Sequence, residues 1–250
     1  MSTPLQPALA DLLGYLKDIG YGDVYLIPSP LSPALSPVPV EREKSAPSVQ
    51  LPAPPVPDTI SASGAAALAA LAVTVEGCTR CRLAQGRQKI VFGSGNPEAD
   101  LMFIGEGPGA EEDRQGLPFV GAAGELLTKI IQALQMQRDD VYIANVVKCR
   151  PPGNRDPQPD EVAACRGFLE RQIELVNPRV IVILGKVAAQ TLLGNESPIG
   201  QMRGQWYQVR GIPTMITYHP AALLRNQALK RPTWEDMQQV RDRLRQPAGA

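Results

Sequence analysis

The chain has 250 residues, balances 25 Lys/Arg against 25 Asp/Glu and is 44% hydrophobic, enough for a packed core in one large domain or one domain with an extension. No apolar run approaches the roughly 20 residues of a membrane span, and the N-terminus lacks the charged-then-apolar layout of a signal peptide, so a cytoplasmic protein without membrane contact is expected. Charge is uneven: three Lys/Arg meet seven Asp/Glu up to Gly77, then twenty-two meet eighteen from Cys78, a mildly basic remainder that permits nucleic acid without arguing for it.

Leu5, Leu9, Leu12, Leu13, Leu16 and Ile19 recur at helical spacing, so a short amphipathic helix is predicted within residues 1–27. Such a helix is marginal alone, and either packs on its own domain or docks a protein partner. Residues 28–58 carry ten prolines among Ser, Ala and Val. That composition buries no core and reads as an extended or disordered linker. The folded domain is predicted over 59–250, with a helix across Thr59–Glu76 leading into Cys78.

Leu101–Gly109, LMFIGEGPG, sends four apolar residues straight into a glycine loop that carries Glu106 and Pro108. A short continuous apolar run bounded by turn residues is the pattern of a buried parallel strand. In open α/β sheets ligands sit beyond the carboxyl ends of the strands, which makes this loop a candidate site. Leu126, Leu127, Ile130, Ile131 and Leu134 predict a helix over Gly124–Leu134. Val141–Val147 is a second strand, and Pro151–Pro159 a proline-rich loop after it. Asp160–Val176 is a helix with Asp160 placed to cap it. Val180–Leu184 is a third strand, with a helix over Val187–Leu193 beyond Gly185. Gly204–Gly211 reads as an irregular segment or short hairpin. Thr214–Tyr218 is a fourth strand that delivers His219, the lone histidine. A last helix spans Trp234–Leu244. Strands alternating with helices predict an α/β fold whose parallel sheet is covered on both faces.

All four cysteines form one candidate set: Cys78 and Cys81 as a CxxC pair, with Cys149 and Cys165 at long range. In a cytoplasmic chain of this length they read as metal ligands rather than disulfides. Zinc and a [4Fe–4S] cluster both accept four thiolates, and spacing does not separate them. Arg80 and Arg82 beside the pair favour thiolates.

With the cysteines, GEGPG at 105–109, PFVG at 118–121, NVVKCRPP at 145–152 and HPAALLRN at 219–226, the chain resembles the family 4, iron–sulfur uracil-DNA glycosylases. The resemblance runs from about Cys78 to Leu244. It implies a three-layer α/β/α sandwich around a four-stranded parallel sheet, and a structural [4Fe–4S] cluster on Cys78, Cys81, Cys149 and Cys165. It also implies a monomer that binds uracil-containing DNA in base excision repair, flips the uracil out and hydrolyses its N-glycosidic bond, leaving an abasic site.

The same resemblance assigns roles. Phe119 is the stacking face for the flipped base, and Asn145 presents an amide donor and acceptor to the uracil edge. His219 donates to uracil O2 as negative charge develops there. Gly105 and Gly107 line the pocket with Glu112, whose position falls near uracil C5. Glu106 either holds its turn or acts in catalysis, orienting water or offsetting positive charge on the deoxyribose. Another uracil glycosylase family places an aspartate where this chain has Gly107, so the water-activating role does not transfer whole. Leu223 is the expected wedge into the duplex. Arg225, with Lys148, Arg150, Arg155 and Arg203, is a candidate phosphate contact.

Two other readings compete. A redox protein with a cofactor on the glycine loop lacks the GxGxxG and GK[ST] spacings. A relative that binds or traps uracil-DNA without turnover would carry an inserted basic loop with a histidine, whereas here Cys149-Arg-Pro-Pro-Gly-Asn-Arg runs on without one.

Overall fold

The computed structural model describes residues 64–247. The predicted N-terminal helix and the proline-rich linker lie outside the described residues.

The elements that position the site begin with α1 (Gly64–Val75), followed by β1 (Ser94–Gly95), β2 (Leu101–Gly105), α2 (Ala110–Gln115), α3 (Ala122–Ala133) and β3 (Tyr142–Asn145). The second half runs α4 (Pro159–Val176), β4 (Val180–Leu184), α5 (Lys186–Leu193), α6 (Ile199–Met202), β5 (Trp206–Val209), β6 (Ile212–Thr217), α7 (Pro220–Arg225) and α8 (Lys230–Leu244). The sheet has six strands in the order β1-β3-β2-β4-β6-β5. Its four central strands are parallel, while β1 pairs antiparallel with β3 and β5 with β6. The expected four-stranded parallel sheet is therefore corrected to a mixed sheet of six.

Both additions are short edge strands without the apolar run that marks a buried one. β1 is two residues, Ser94 and Gly95. β5 returns into β6 through Arg210 and Gly211, whose φ values of 53° and 79° are those of a two-residue hairpin turn with both central residues left-handed.

Alternating side chains divide the central strands between two cores. Met102, Ile104, Ala144, Ile181, Ile183 and Ile216 face α1, α4 and α5, where Leu68, Leu71, Phe168 and Ile173 are buried. Leu101, Phe103, Ile143, Val182 and Met215 face the other way, onto Leu127, Ile130 and Ile131 of α3 and Trp234, Met237 and Val240 of α8. Helices on both faces make the three layers.

Two local expectations shift. Pro159 opens α4 and Gln158 caps it, in a capping box with Glu161, so Asp160 lies in the first turn and is not the cap. Asp160 instead pairs with Arg82 at 3.0 Å. β3 ends at Asn145, yet Val146 and Val147 still donate to the carbonyls of Gly105 and Glu106 at 2.9 and 3.1 Å, which keeps the two loop entrances side by side.

Candidate active site

From β2 the chain moves to β3 on one side and then to β4 on the other, so β2 is the point where strand order reverses. Ligands in such sheets bind in the crevice beyond the strand ends at that point. A cavity of about 540 Å³ lies there, lined by Glu106–Glu112 after β2, by Phe119 and Gly121–Ala123, by Asn145, and by His219, Ala221 and Arg225. Pro151 and Asn154–Asp156 close another wall.

Phe119 is 6% exposed and has a left-handed φ of 52°, a conformation that costs a phenylalanine energy and is held by its surroundings. Val120 and Gly121 N–H groups donate to Glu112 Oε1 at 2.9 and 3.0 Å. The Arg138 guanidinium donates to the Pro118 carbonyl. A Cβ on Gly124 would stand 1.9 Å from the Phe119 carbonyl oxygen, so only glycine lets α3 begin this close to the loop. Gly105 is constrained in the same way: its Cβ would stand 2.5 Å from Asn145 Oδ1 and 2.6 Å from Phe119 Cζ. The bare glycine brings base face and amide together.

Asn145 is 1% exposed. Its Oδ1 is the one buried side-chain polar atom among the described residues that lacks a hydrogen-bond partner. An orphaned buried acceptor costs about 1–3 kcal/mol, so this one waits for a donor that enters the cavity.

His219 caps α7 and its Nδ1 accepts from the Ala221 N–H at 3.1 Å. Burial, reinforced by Arg225, pushes its pKa down to about 4 against the opposing pull of Glu112. The ring is therefore neutral near pH 7, and with Nδ1 accepting, its proton sits on Nε2. Its ring stands 5.5 Å from that of Phe119, tilted by 32°. Glu106 moves the opposite way: burial, then the nearby charge of Asp156, raises its pKa to about 7.

The thiols form a second centre. Cys149 and Cys165 are buried, Cys78 and Cys81 half-buried, and all four are free. They border one small cavity with Arg80, Arg87 and Lys148. Arg87 donates to Cys149 Sγ at 3.4 Å, and the Lys148 backbone N–H to Cys165 Sγ at 3.3 Å. Burial pushes the Cys165 thiol up to about 11 and the Cys149 thiol up as well, so bare sulfurs here stay protonated. Among the described residues no three His, Cys, Asp or Glu side chains already converge as ligands of one metal ion. Four thiols around one cavity, with cations and N–H donors beside them, still suit an acceptor of thiolates larger than a single ion.

The family model of the uracil DNA glycosylase superfamily matches residues 92–238. The chain belongs to that superfamily. It is 46% identical to the type-4 uracil-DNA glycosylase of Sulfurisphaera tokodaii, over 66% of this chain and 79% of that protein. It is 47% identical to the type-4 uracil-DNA glycosylase of Thermotoga maritima, over 67% and 89%. A type-5 uracil-DNA glycosylase of Pyrobaculum aerophilum is 32% identical over 62% and 75%. Type 4 is the better match.

In this superfamily member, Gly105, Glu106, Gly107, Glu112, Phe119, Asn145, His219 and Arg225 come together around one cavity. Leu223 does not. It is fully buried against the core, whereas Leu224 is 48% exposed, so the expected wedge residue is corrected. Pro220 and Leu223, three apart, both face inward on α7, and the next position turns outward. Lys148 and Arg203 are corrected too. Lys148 is 1% exposed. Arg203 is tied to buried Asp236 at 2.6 Å. Arg155 is bound to Glu161 at 2.6 Å, and Arg150 to Asn154 at 2.8 Å. Sequence reasoning missed Asp156 and Gly124. Asp156 lies in the loop after β3, where strand-end position alone was a usable signal.

Proposed function

We propose that the protein excises uracil from DNA, hydrolysing the N-glycosidic bond and leaving an abasic site in base excision repair. The observation that carries this reading is the unpartnered, buried Asn145 Oδ1 on a cavity that Phe119 and His219 also line, the histidine carrying its proton on Nε2. Uracil offers the complementary edge: an N3–H to meet Oδ1, an O4 for the amide donor, and an O2 for His219.

The deoxyuridine leaves the stack and its base slides against Phe119. As the C1′–N1 bond lengthens, the bonding pair moves onto uracil and negative charge builds on O2, where neutral His219 donates from Nε2. Positive charge builds on the deoxyribose, facing the Glu106 carboxylate. A water oxygen then bonds to C1′ and its proton passes to Glu106, whose pKa near 7 suits a base at neutral pH. Gly107 supplies no substitute, since a Cβ there would stand 2.7 Å from Val147 Cγ2. Glu112 acts through the loop, its carboxylate taken by backbone N–H groups. Exposed Leu224 fills the space left by the flipped base, and Arg225 at the cavity rim meets phosphate.

Cys78, Cys81, Cys149 and Cys165 would hold a [4Fe–4S] cluster. When bound it supplies a crosslink, because this hydrolysis transfers no electron. The purified protein is then brown and carries about four iron atoms per chain; a colourless, zinc-bearing, active protein would overturn that assignment. We further propose a cytoplasmic monomer whose N-terminal segment tethers a protein partner. Among the described residues no helix is long and apolar enough to cross a membrane.

Incubation with uracil-containing DNA tests the activity. Free uracil in molar excess over enzyme is the expected result. A stable protein–DNA adduct, or no uracil, would contradict it.

A further inference from the structure

Between the cavity and the thiols sits Lys148, 1% exposed. Lysine is almost never this buried unless its charge is met. Its ammonium is met by neutral acceptors: Nζ donates to the Asn145 backbone carbonyl at 2.8 Å and to Gln172 Oε1 at 2.5 Å. Gln172 is itself fully buried and fixed, donating to the Phe92 carbonyl at 2.9 Å and the Tyr142 hydroxyl at 3.1 Å. The backbone N–H of the same lysine donates to Cys165 Sγ, and the next residue is Cys149. One residue thus holds the last carbonyl of β3 with its side chain and a thiol with its main chain.

We propose that Lys148 is a positioning residue that fixes Asn145 for uracil and makes the set of the uracil-reading amide depend on the thiol centre. The residue it holds is the one whose Oδ1 is buried without a partner, on the final position of its strand and in the cavity wall. Asn145 and Cys149 are four residues apart, so a shift of the Cys149–Cys165 pair moves the Lys148 backbone and pulls on the Asn145 carbonyl. Charge-assisted hydrogen bonds of this kind are about twice as strong as neutral ones. This inference rests on the reading of Asn145 as the uracil contact.

The test is equilibrium binding, which needs no turnover. Fluorescence anisotropy compares DNA carrying 2′-fluoro-2′-deoxyuridine, whose electron-withdrawing fluorine opposes positive charge at C1′ and so resists cleavage, with the same DNA carrying thymidine. Thymine has the same hydrogen-bonding edge but a 5-methyl group that opposes its entry, so the affinity ratio reads binding of the base inside the cavity. In Lys148→Met it should fall about tenfold, the weight of roughly one hydrogen bond, with thymidine-DNA affinity unchanged. Gln172→Leu, which frees one side of the ammonium, should lower it about threefold, and Lys148→Arg should recover part of the loss. Iron per chain is measured on every variant. If Asn145→Ala lowers the ratio and Lys148→Met leaves it at the wild-type value, the positioning role is wrong while the uracil reading stands. If Asn145→Ala itself changes nothing, the uracil reading fails. A loss confined to molecules that lack iron would make Lys148 only a support of the thiol centre and overturn the proposal. Should Lys148→Met not fold, an unchanged ratio in Gln172→Leu overturns it equally.

Discussion

Glu106 and His219 face one cavity with titrations displaced in opposite directions, and both displacements come first from burial. Burial disfavours charge, so the acid holds its proton up to about pH 7 and the imidazole releases its proton by about pH 4. If the Glu106 carboxylate is the working form, cleavage under single-turnover conditions rises with pH through about 7 and then stays level, with no second limb from His219 between pH 5 and 9. Glu106→Gln should remove the rise and lower the rate by roughly 10²–10⁴-fold. Stability runs the opposite way with pH. A raised carboxyl pKa contributes stability below the group's ordinary value of 4.5 that is lost as pH rises through about 7. Glu106→Gln should therefore raise Tm more at pH 8 than at pH 5. A flat rate profile in the wild type would remove Glu106 from the proton step.

At the scale of elements, α7 decides which apolar residue faces solvent. His219 caps it and Pro220 starts it, and these two fix the rotation that buries Leu223 and exposes Leu224. Leu224→Ala should weaken cleavage of double-stranded uracil-DNA about tenfold and single-stranded uracil-DNA far less, because only the duplex has a stacked partner to replace. Leu223→Ala should instead lower Tm, as expected for a cavity in a packed core. Equal effects on both substrates would remove Leu224 from the wedge role.

The limits of sequence reasoning show in the same elements. Val180–Leu184 was legible to the residue because a continuous β-branched run leaves no other register. Gly105, Asn145 and His219 were placed at one sheet end because each follows an apolar run. Leu223 is the wedge that the resemblance implies, and a resemblance carries no burial; the six-residue α7 has too few turns to reveal its buried stripe. Edge strand β1 left no pattern in two residues, and the Lys148–Gln172 bond joins positions no local rule connects. Arg203 looked like a free surface cation until Asp236, from the last helix, met it.

Across the whole molecule, the segment before β1 is stapled to the domain at several points. Helix α1 buries Leu68, Leu71 and Val75 in the core beside α4. Arg82 reaches Glu161 at 3.0 Å, and the Gln88 N–H donates to Asp113 Oδ1 at 2.8 Å. Glu161 has its carboxyl drawn down to about 2, mainly by the Arg155 hydrogen bond. The folded unit we propose over 59–250 thus includes α1. Deletion of residues 1–58 should leave cleavage of short DNA within about twofold of the full chain, a span inside ordinary surface-level effects on stability. A large loss would make that segment part of the catalytic unit.

The central claim is that one cavity reads uracil and breaks its bond. Single-turnover cleavage of uracil-DNA by Asn145→Ala and His219→Ala, at protein concentrations that saturate the DNA, tests it most directly. Loss of roughly 10²–10³-fold in each, with affinity for thymidine-DNA kept, is the predicted result. Near-wild-type rates in either variant would contradict the account.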